Sequence, residues 1–191
     1  MKKFLTLRNI VLLSAVLFGL IAFFVSFGSN LTVTLDGNRG TLLNITWGCK
    51  IAIYDGKREA IPYEIGPSVL LLIGIIVILV GSLGMAGVGL FLQKPWAKWV
   101  VVCCAAVVLT GAIFQFFFVS SFARSFIDAM IKATHADPSP EEYKELLSMV
   151  KTQMQNGQPS DVGNVLCGVF GIVAALAAGV SQFLPEKELA K

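Results

Sequence analysis

Apolar residues fall into four long blocks that contain no Asp, Glu, Lys, Arg or His, and the charged residues crowd between them. The blocks cover 10–27, 67–92, 99–122 and 162–184. A hydrocarbon layer about 30 Å thick needs roughly 20 apolar residues of helix, so the pattern predicts four transmembrane helices. The first block follows Met1-Lys2-Lys3, as in a cleaved leader. Its roughly 18 apolar residues exceed the about 7–15 of a leader core, which predicts a retained span.

Between these blocks the period changes. Residues 28–66 form a first loop rich in β-branched residues. Leu31–Leu35, Thr41–Thr46 and Lys50–Tyr54 read as short strands, with turn residues at Asp36-Gly37 and Asp55-Gly56 and a break at Gly48. That spacing predicts a three-stranded meander. A sheet this small is marginal alone and needs support from another element.

The second loop, 123–161, is helical in pattern. Phe122, Phe126, Met130 and Ala133 recur every three or four positions, so the third membrane helix is expected to continue outward. The run from His135 to Pro140 then stops it. Ser139 with Pro140 and Glu142 makes an N-terminal capping signal for a second helix. Tyr143, Leu146, Leu147, Val150 and Met154 give that helix one apolar stripe, and Asn156-Gly157 ends it. The stripe is expected to pack on the strands of the first loop. The fold class is therefore an all-α membrane protein, a four-transmembrane-helix bundle with a small extracytoplasmic α+β cap.

Composition agrees with this partition. The 191 residues are 55% hydrophobic and only 14% charged, against about a quarter charged in soluble domains, and the mean hydropathy is +0.76. Charge decides the orientation. The termini (1–9 and 185–191) and the short turn 93–98 carry seven basic residues: Lys2, Lys3, Arg8, Lys94, Lys98, Lys187 and Lys191. Eight others are diluted over the two long loops, which hold ten of the twelve acidic residues. Basic residues concentrate on the cytoplasmic side, so both termini are expected there, most readily in the plasma membrane. No basic stripe points to nucleic acid.

Candidate chemistry is sparse. Cys103, Cys104 and Cys167 lie in the spans and read as small apolar packing residues; Cys49 alone faces outward. The single histidine, His135, stands in a loop with no nucleophile motif beside it. No phosphate-binding glycine loop or paired metal-ligand spacing is present. Neither a catalytic, a cofactor nor a metal site is expected. The spans also lack the mid-membrane ionisable groups of ion-coupled carriers.

What the spans carry is packing chemistry. Gly163, Cys167, Gly171, Ala175 and Gly179 place a small residue at every fourth position of the fourth span, a ridge on which another helix backbone can approach. Gln115 and Asn164 are the polar residues expected to hydrogen-bond between spans. Trp47, Trp96 and Trp99 are expected at the membrane–water interface. Asn30-Leu31-Thr32 and Asn44-Ile45-Thr46 match the glycosylation sequon.

The layout resembles that of the claudin and peripheral myelin protein tetraspans: a short N-terminus, a long β-rich first outer loop, a tight inner turn and an extended third helix. Those families carry a tryptophan followed by two cysteines that form a disulfide in the first loop. Here Trp47-Gly48-Cys49 has no second loop cysteine, so their barrier and adhesion roles are not implied.

The function expected from the sequence is that of a non-catalytic tetraspan membrane protein. It would be an accessory, assembly or adhesion-type interaction protein that uses its outer cap. Its partners would be the lipid bilayer and either a membrane or extracytoplasmic protein or a second copy of the chain. The alternative is an oligomeric pore or transport component.

Overall fold

The computed structural model describes residues 6–28, 30–35, 38–43, 45–54, 60–91, 96–156 and 159–184. The expected turns at 36–37 and 55–56, Asn44 of the second sequon, residues 92–95 of the inner turn, Gly157 and the terminal residues 1–5 and 185–191 lie outside the described residues. In chain order the elements are α1 (Leu7–Val25), β1 (Asn30–Leu35), β2 (Asn38–Leu43), β3 (Cys49–Tyr54), β4 (Ala60–Ile65) and α2 (Val69–Phe91). They are followed by α3 (Ala97–Gln115), α4 (Phe118–Thr134), α5 (Pro140–Asn156), β5 (Ser160–Asp161) and α6 (Val162–Ser181). These elements divide into two compact units.

The first unit comprises Met1–Ser26, Ile73–Phe116 and Val165–Lys191, and so holds α1, α3 and most of α2 and α6. Each of these four helices is long and apolar enough to cross a membrane. Their core is small and aliphatic: Leu12, Ala15, Val16 and Ala22 meet Ile75, Ile78, Met85, Val101, Val108, Ala112, Cys167 and Ala174. Large apolar side chains such as Leu17, Ile76, Val107 and Leu176 are exposed on the outside. In water such a surface would be a continuous apolar patch; in lipid it is matched to its solvent.

Because lipid tails are as apolar as leucine, only close contact draws these helices together, and small residues mark the crossings. Between α1 and α2, Gly19 lies against Ser82. Between α2 and α3, a Cβ placed on Gly81 would lie 2.6 Å from Val108 Cγ2. Between α3 and α6, one placed on Gly171 would lie 2.7 Å from the Cβ of Ala112. The circuit closes where Phe18 of α1 stacks on Phe170 of α6, centroids 6.1 Å apart, and where Arg8 donates to Gln182 Oε1 at 3.0 Å.

The second unit is Phe27–Leu72 with Phe117–Asn164. The meander expected here is replaced by two hairpins in separate sheets. β1 pairs antiparallel with β2 from Asn30↔Leu43 to Leu35↔Asn38, and on its other edge with β5 through Leu31↔Asp161. β3 pairs antiparallel with β4 from Cys49↔Ile65 to Tyr54↔Ala60. The physical reason lies at Gly48: its φ of +101° reverses the chain after the 45–47 turn, so β3 starts a new sheet. The pattern concealed β4 because Pro62 sits inside it. A proline is tolerated there because a two-stranded sheet leaves each strand an unpaired edge.

Two further expectations change. The third membrane helix does not run on unbroken: α3 ends at Gln115, and α4 starts afresh at Phe118. Phe116 N–H tightens onto the Ile113 carbonyl at 3.1 Å, and Phe117 leaves helical geometry at φ −87°, ψ 20°. Phe114, Phe116, Phe117 and Phe118 crowd aromatic rings of modest helix propensity into this stretch. The apolar stripe of α5, in turn, packs mainly on α4, and it is α4 that packs on β4. The capping signals hold: Ser139 N–H donates to Glu142 Oε2 at 2.7 Å, and Glu142 N–H to Ser139 Oγ at 3.3 Å. Helix α4 ends on His135, which takes the left-handed conformation (φ 51°) more usual for glycine.

Candidate functional site

The second unit holds two features out of which a site can be built: a buried polar layer and an open cleft. The layer begins at α6. Asp161 stands at its N-cap and accepts the Asn164 backbone N–H on Oδ1 at 2.9 Å, satisfying a donor that the first turn leaves unpaired. The Asn164 side-chain amide donates to Asp161 Oδ2, also at 2.9 Å, and Asn164 Oδ1 accepts from the Thr46 hydroxyl at 3.1 Å. The Thr46 carbonyl takes the Ser68 N–H at 3.2 Å, just before α2, and the Ser68 hydroxyl shares a short hydrogen bond with Ser121 on α4. All five residues are buried.

Val69, next to Ser68, and Val162, next to Asp161, point the other way and are 67% and 66% exposed. Trp47, beside Thr46, is exposed and stacks on Phe27 with centroids 4.9 Å apart and planes 8° from parallel. At the starts of α2 and α6, where the candidate membrane spans begin, an exposed apolar side chain thus follows a buried polar one. Buried polar groups are tolerated only when paired, and these are paired with one another. The layer ties together a loop, two span ends and α4. It contains neither an activated nucleophile nor a proton acceptor aimed at open space.

The cleft, of about 620 Å³, opens between the end of β4 and α4. One wall is Gly48, Glu64, Ile65, Gly66, Pro67 and Val69; the other is Ser125, Asp128, Ala129 and Lys132. The α4 wall presents every third or fourth residue of one helical face. Asp128 is held by α5, since Tyr143 donates its hydroxyl to Asp128 Oδ1 at 2.8 Å. Burial pushes the Tyr143 phenol above its ordinary value, helped by the hydrogen bond to Asp128 and its negative charge. At the far end of the same contact, the Ser139 backbone and side-chain hydrogen bonds hold Glu142 below the usual carboxylate value.

The residues singled out in the sequence fall as follows. Gly163, Cys167, Gly171 and Ala175 are buried, and Gly179 is half-buried with open space where a Cβ would stand. Trp96 and Trp99 are exposed at the start of α3, and Trp47 is exposed in the second unit. Asn164 belongs to the polar layer, and the buried Gln115 donates to the Gly111 carbonyl at 3.4 Å. Cys103, Cys104 and Cys167 are free thiols. Among the described residues no three His, Cys, Asp or Glu side chains come together as metal ligands would. The sequence reading missed the roles of Thr46, Ser68, Ser121 and Asp161. Only Asp161 carried a signal, an aspartate directly before an apolar helical run.

Four apolar helices of membrane-spanning length make the chain a multi-pass membrane protein. No family model, no curated protein and no solved structure matches it.

Proposed function

We propose that this is a non-catalytic membrane protein with both termini in the cytoplasm. Its mixed helix-and-strand unit, an α+β cap outside the membrane, binds a protein partner in an accessory, assembly or adhesion role. The observation that carries the reading is the division of chemistry between the units. Most glycines of the first are taken up by its own helix crossings, while the second offers the outward face of α5, where Met149 is 58% exposed. Exposed methionine is common on surfaces that adapt to partners. The excess of basic over acidic residues in the termini and inner turn supports the orientation.

The test is crosslinking in intact membranes from a photoreactive residue at Met149, followed by mild detergent extraction and mass spectrometry. The expected result is one stoichiometric protein species absent when the photoreactive residue sits at Leu176, on the outside of the first unit. A crosslink to a second copy of this chain would favour the alternative of an oligomeric pore or transport component. Absence of any crosslink would count against both.

A further inference from the structure

The cleft has a composition that a protein-binding groove does not need. Val69 in its wall is the first residue of a membrane span and 67% exposed, so one rim of the cleft meets the lipid boundary. Its α4 wall carries one cation and one anion a helical turn apart, Lys132 and Asp128, and the opposite wall carries a second carboxylate, Glu64. The Cβ atoms of residues so spaced lie about 6 Å apart on a helix surface. The Lys132 ammonium makes no hydrogen bond or ion pair among the described residues. Asp128 is oriented by Tyr143 through Oδ1, which leaves Oδ2 without a described partner.

We propose that the cleft seats the headgroup of an aminophospholipid from the adjoining leaflet, with Lys132 on its phosphate and Asp128 on its primary ammonium. With Cβ atoms about 6 Å apart, the two side chains stand close enough for one phosphoethanolamine, whose phosphate and ammonium are joined by two carbons, to reach both. Charge-assisted hydrogen bonds at both ends fix the headgroup's direction. The volume of about 620 Å³ is of the size of small-molecule sites. Ile65, Pro67 and Ala129 give the floor apolar contact for the glycerol backbone, and the acyl chains leave past Val69 into the bilayer. A purely anionic lipid would place no group on Asp128, and a soluble ligand would gain nothing from the lipid-facing rim. The site goes beyond partner binding and does not depend on it.

The test uses the full chain, purified in mild detergent and titrated with short-chain phosphatidylethanolamine. Native mass spectrometry and the thermal unfolding midpoint are the readouts. The expected result is a one-to-one adduct about tenfold tighter than that with short-chain phosphatidylglycerol, a difference of about 1.4 kcal/mol. Asp128→Asn and Lys132→Gln change exposed positions on α4, leave the fold intact, and should each abolish most of that preference. Lys144→Gln on α5, outside the cleft, should keep it. Equal affinity for the two lipids, or an unchanged preference in both cleft variants, would overturn the proposal. Glycerophosphoethanolamine, which has the headgroup without acyl chains, should bind at least about tenfold more weakly. If it binds as tightly as the lipid, the ligand is a soluble zwitterion and the lipid assignment fails.

Discussion

Gly74 on α2 and Gly111 on α3 approach backbone to backbone. A Cβ on Gly111 would lie 2.6 Å from the Gly74 carbonyl oxygen, and a Cβ on Gly74 would lie 2.8 Å from the Gly111 carbonyl oxygen. Neither obstacle is a flexible side chain, so a methyl group at either position has to push the helices apart. Gly111→Ala should therefore destabilise the protein by about 1–3 kcal/mol, the range for overpacking. Gly87→Ala and Gly179→Ala, where nothing stands within 4 Å, should be neutral or stabilising by up to about 1 kcal/mol. Thermal unfolding in one detergent, with the three variants side by side, checks the contrast.

Asp161 and Thr46 hold the head of α6 from two directions, one along the helix and one across the unit. Loss of the N-cap in Asp161→Ala should cost about 0.5–2 kcal/mol. Thr46→Val keeps the shape but removes the donor to Asn164, and should cost about 1–3 kcal/mol because the acceptor is buried. The two residues share Asn164 as partner, so the double variant should cost less than the sum of the two single changes. A double-mutant cycle on unfolding midpoints tests this.

The left-handed turn at His135 identifies a site for stabilisation. A non-glycine residue in that conformation costs about 1–2 kcal/mol, and His135 is exposed. His135→Gly should raise stability by about 1 kcal/mol or leave it unchanged, glycine's larger unfolded-state entropy offsetting part of the gain. A clear loss of stability in the same unfolding assay would show that the imidazole does more than terminate α4.

Tyr143 links α5 to α4 through Asp128, and its raised phenol value fixes the sign of a pH effect. The protonated phenol is favoured in the folded chain, so this contribution is complete below the ordinary value of 10.0 and is lost as the pH climbs above it. Ultraviolet titration of wild type minus Tyr143→Phe should show one tyrosine ionising above 10.0. Asp128→Asn should bring it back toward that value.

Glu142 behaves in the opposite sense. Its carboxyl is held below the ordinary 4.5 by bonds to Ser139, so the contribution is present above that pH and disappears as the pH falls through the lowered value. Wild type should therefore exceed Glu142→Gln in α5 helicity at neutral pH, and the two should converge in acid. Circular dichroism of the two proteins from neutral pH down to about 3 follows the convergence.

The four spans were legible because a run of uncharged residues about 20 long has few alternatives in water or lipid. The α5 start was legible because a capping box is local: Ser139 and Glu142 satisfy each other's backbone within four residues. The strand pairing was not. Lys50–Tyr54 reads equally well as the third strand of a meander or the first of a new hairpin, and a positive φ at Gly48 decides between them. The cleft was equally hidden, since Gly66 and Lys132 stand far apart in the chain and neither carries a motif.

The sequence by itself determined that the chain enters a membrane, how many helices do so, and where helices α5 and α6 begin, since these follow from hydrophobic run length and local backbone chemistry. Only the tertiary structure decided which small residues meet, that Thr46, Ser68, Ser121, Asp161 and Asn164 form one buried layer, and that Asp128 and Lys132 line a cleft beside a span's first residue. Those outcomes depend on contacts between segments distant in sequence. The free energy of such contacts comes from packing and desolvation in three dimensions, and no local pattern encodes it.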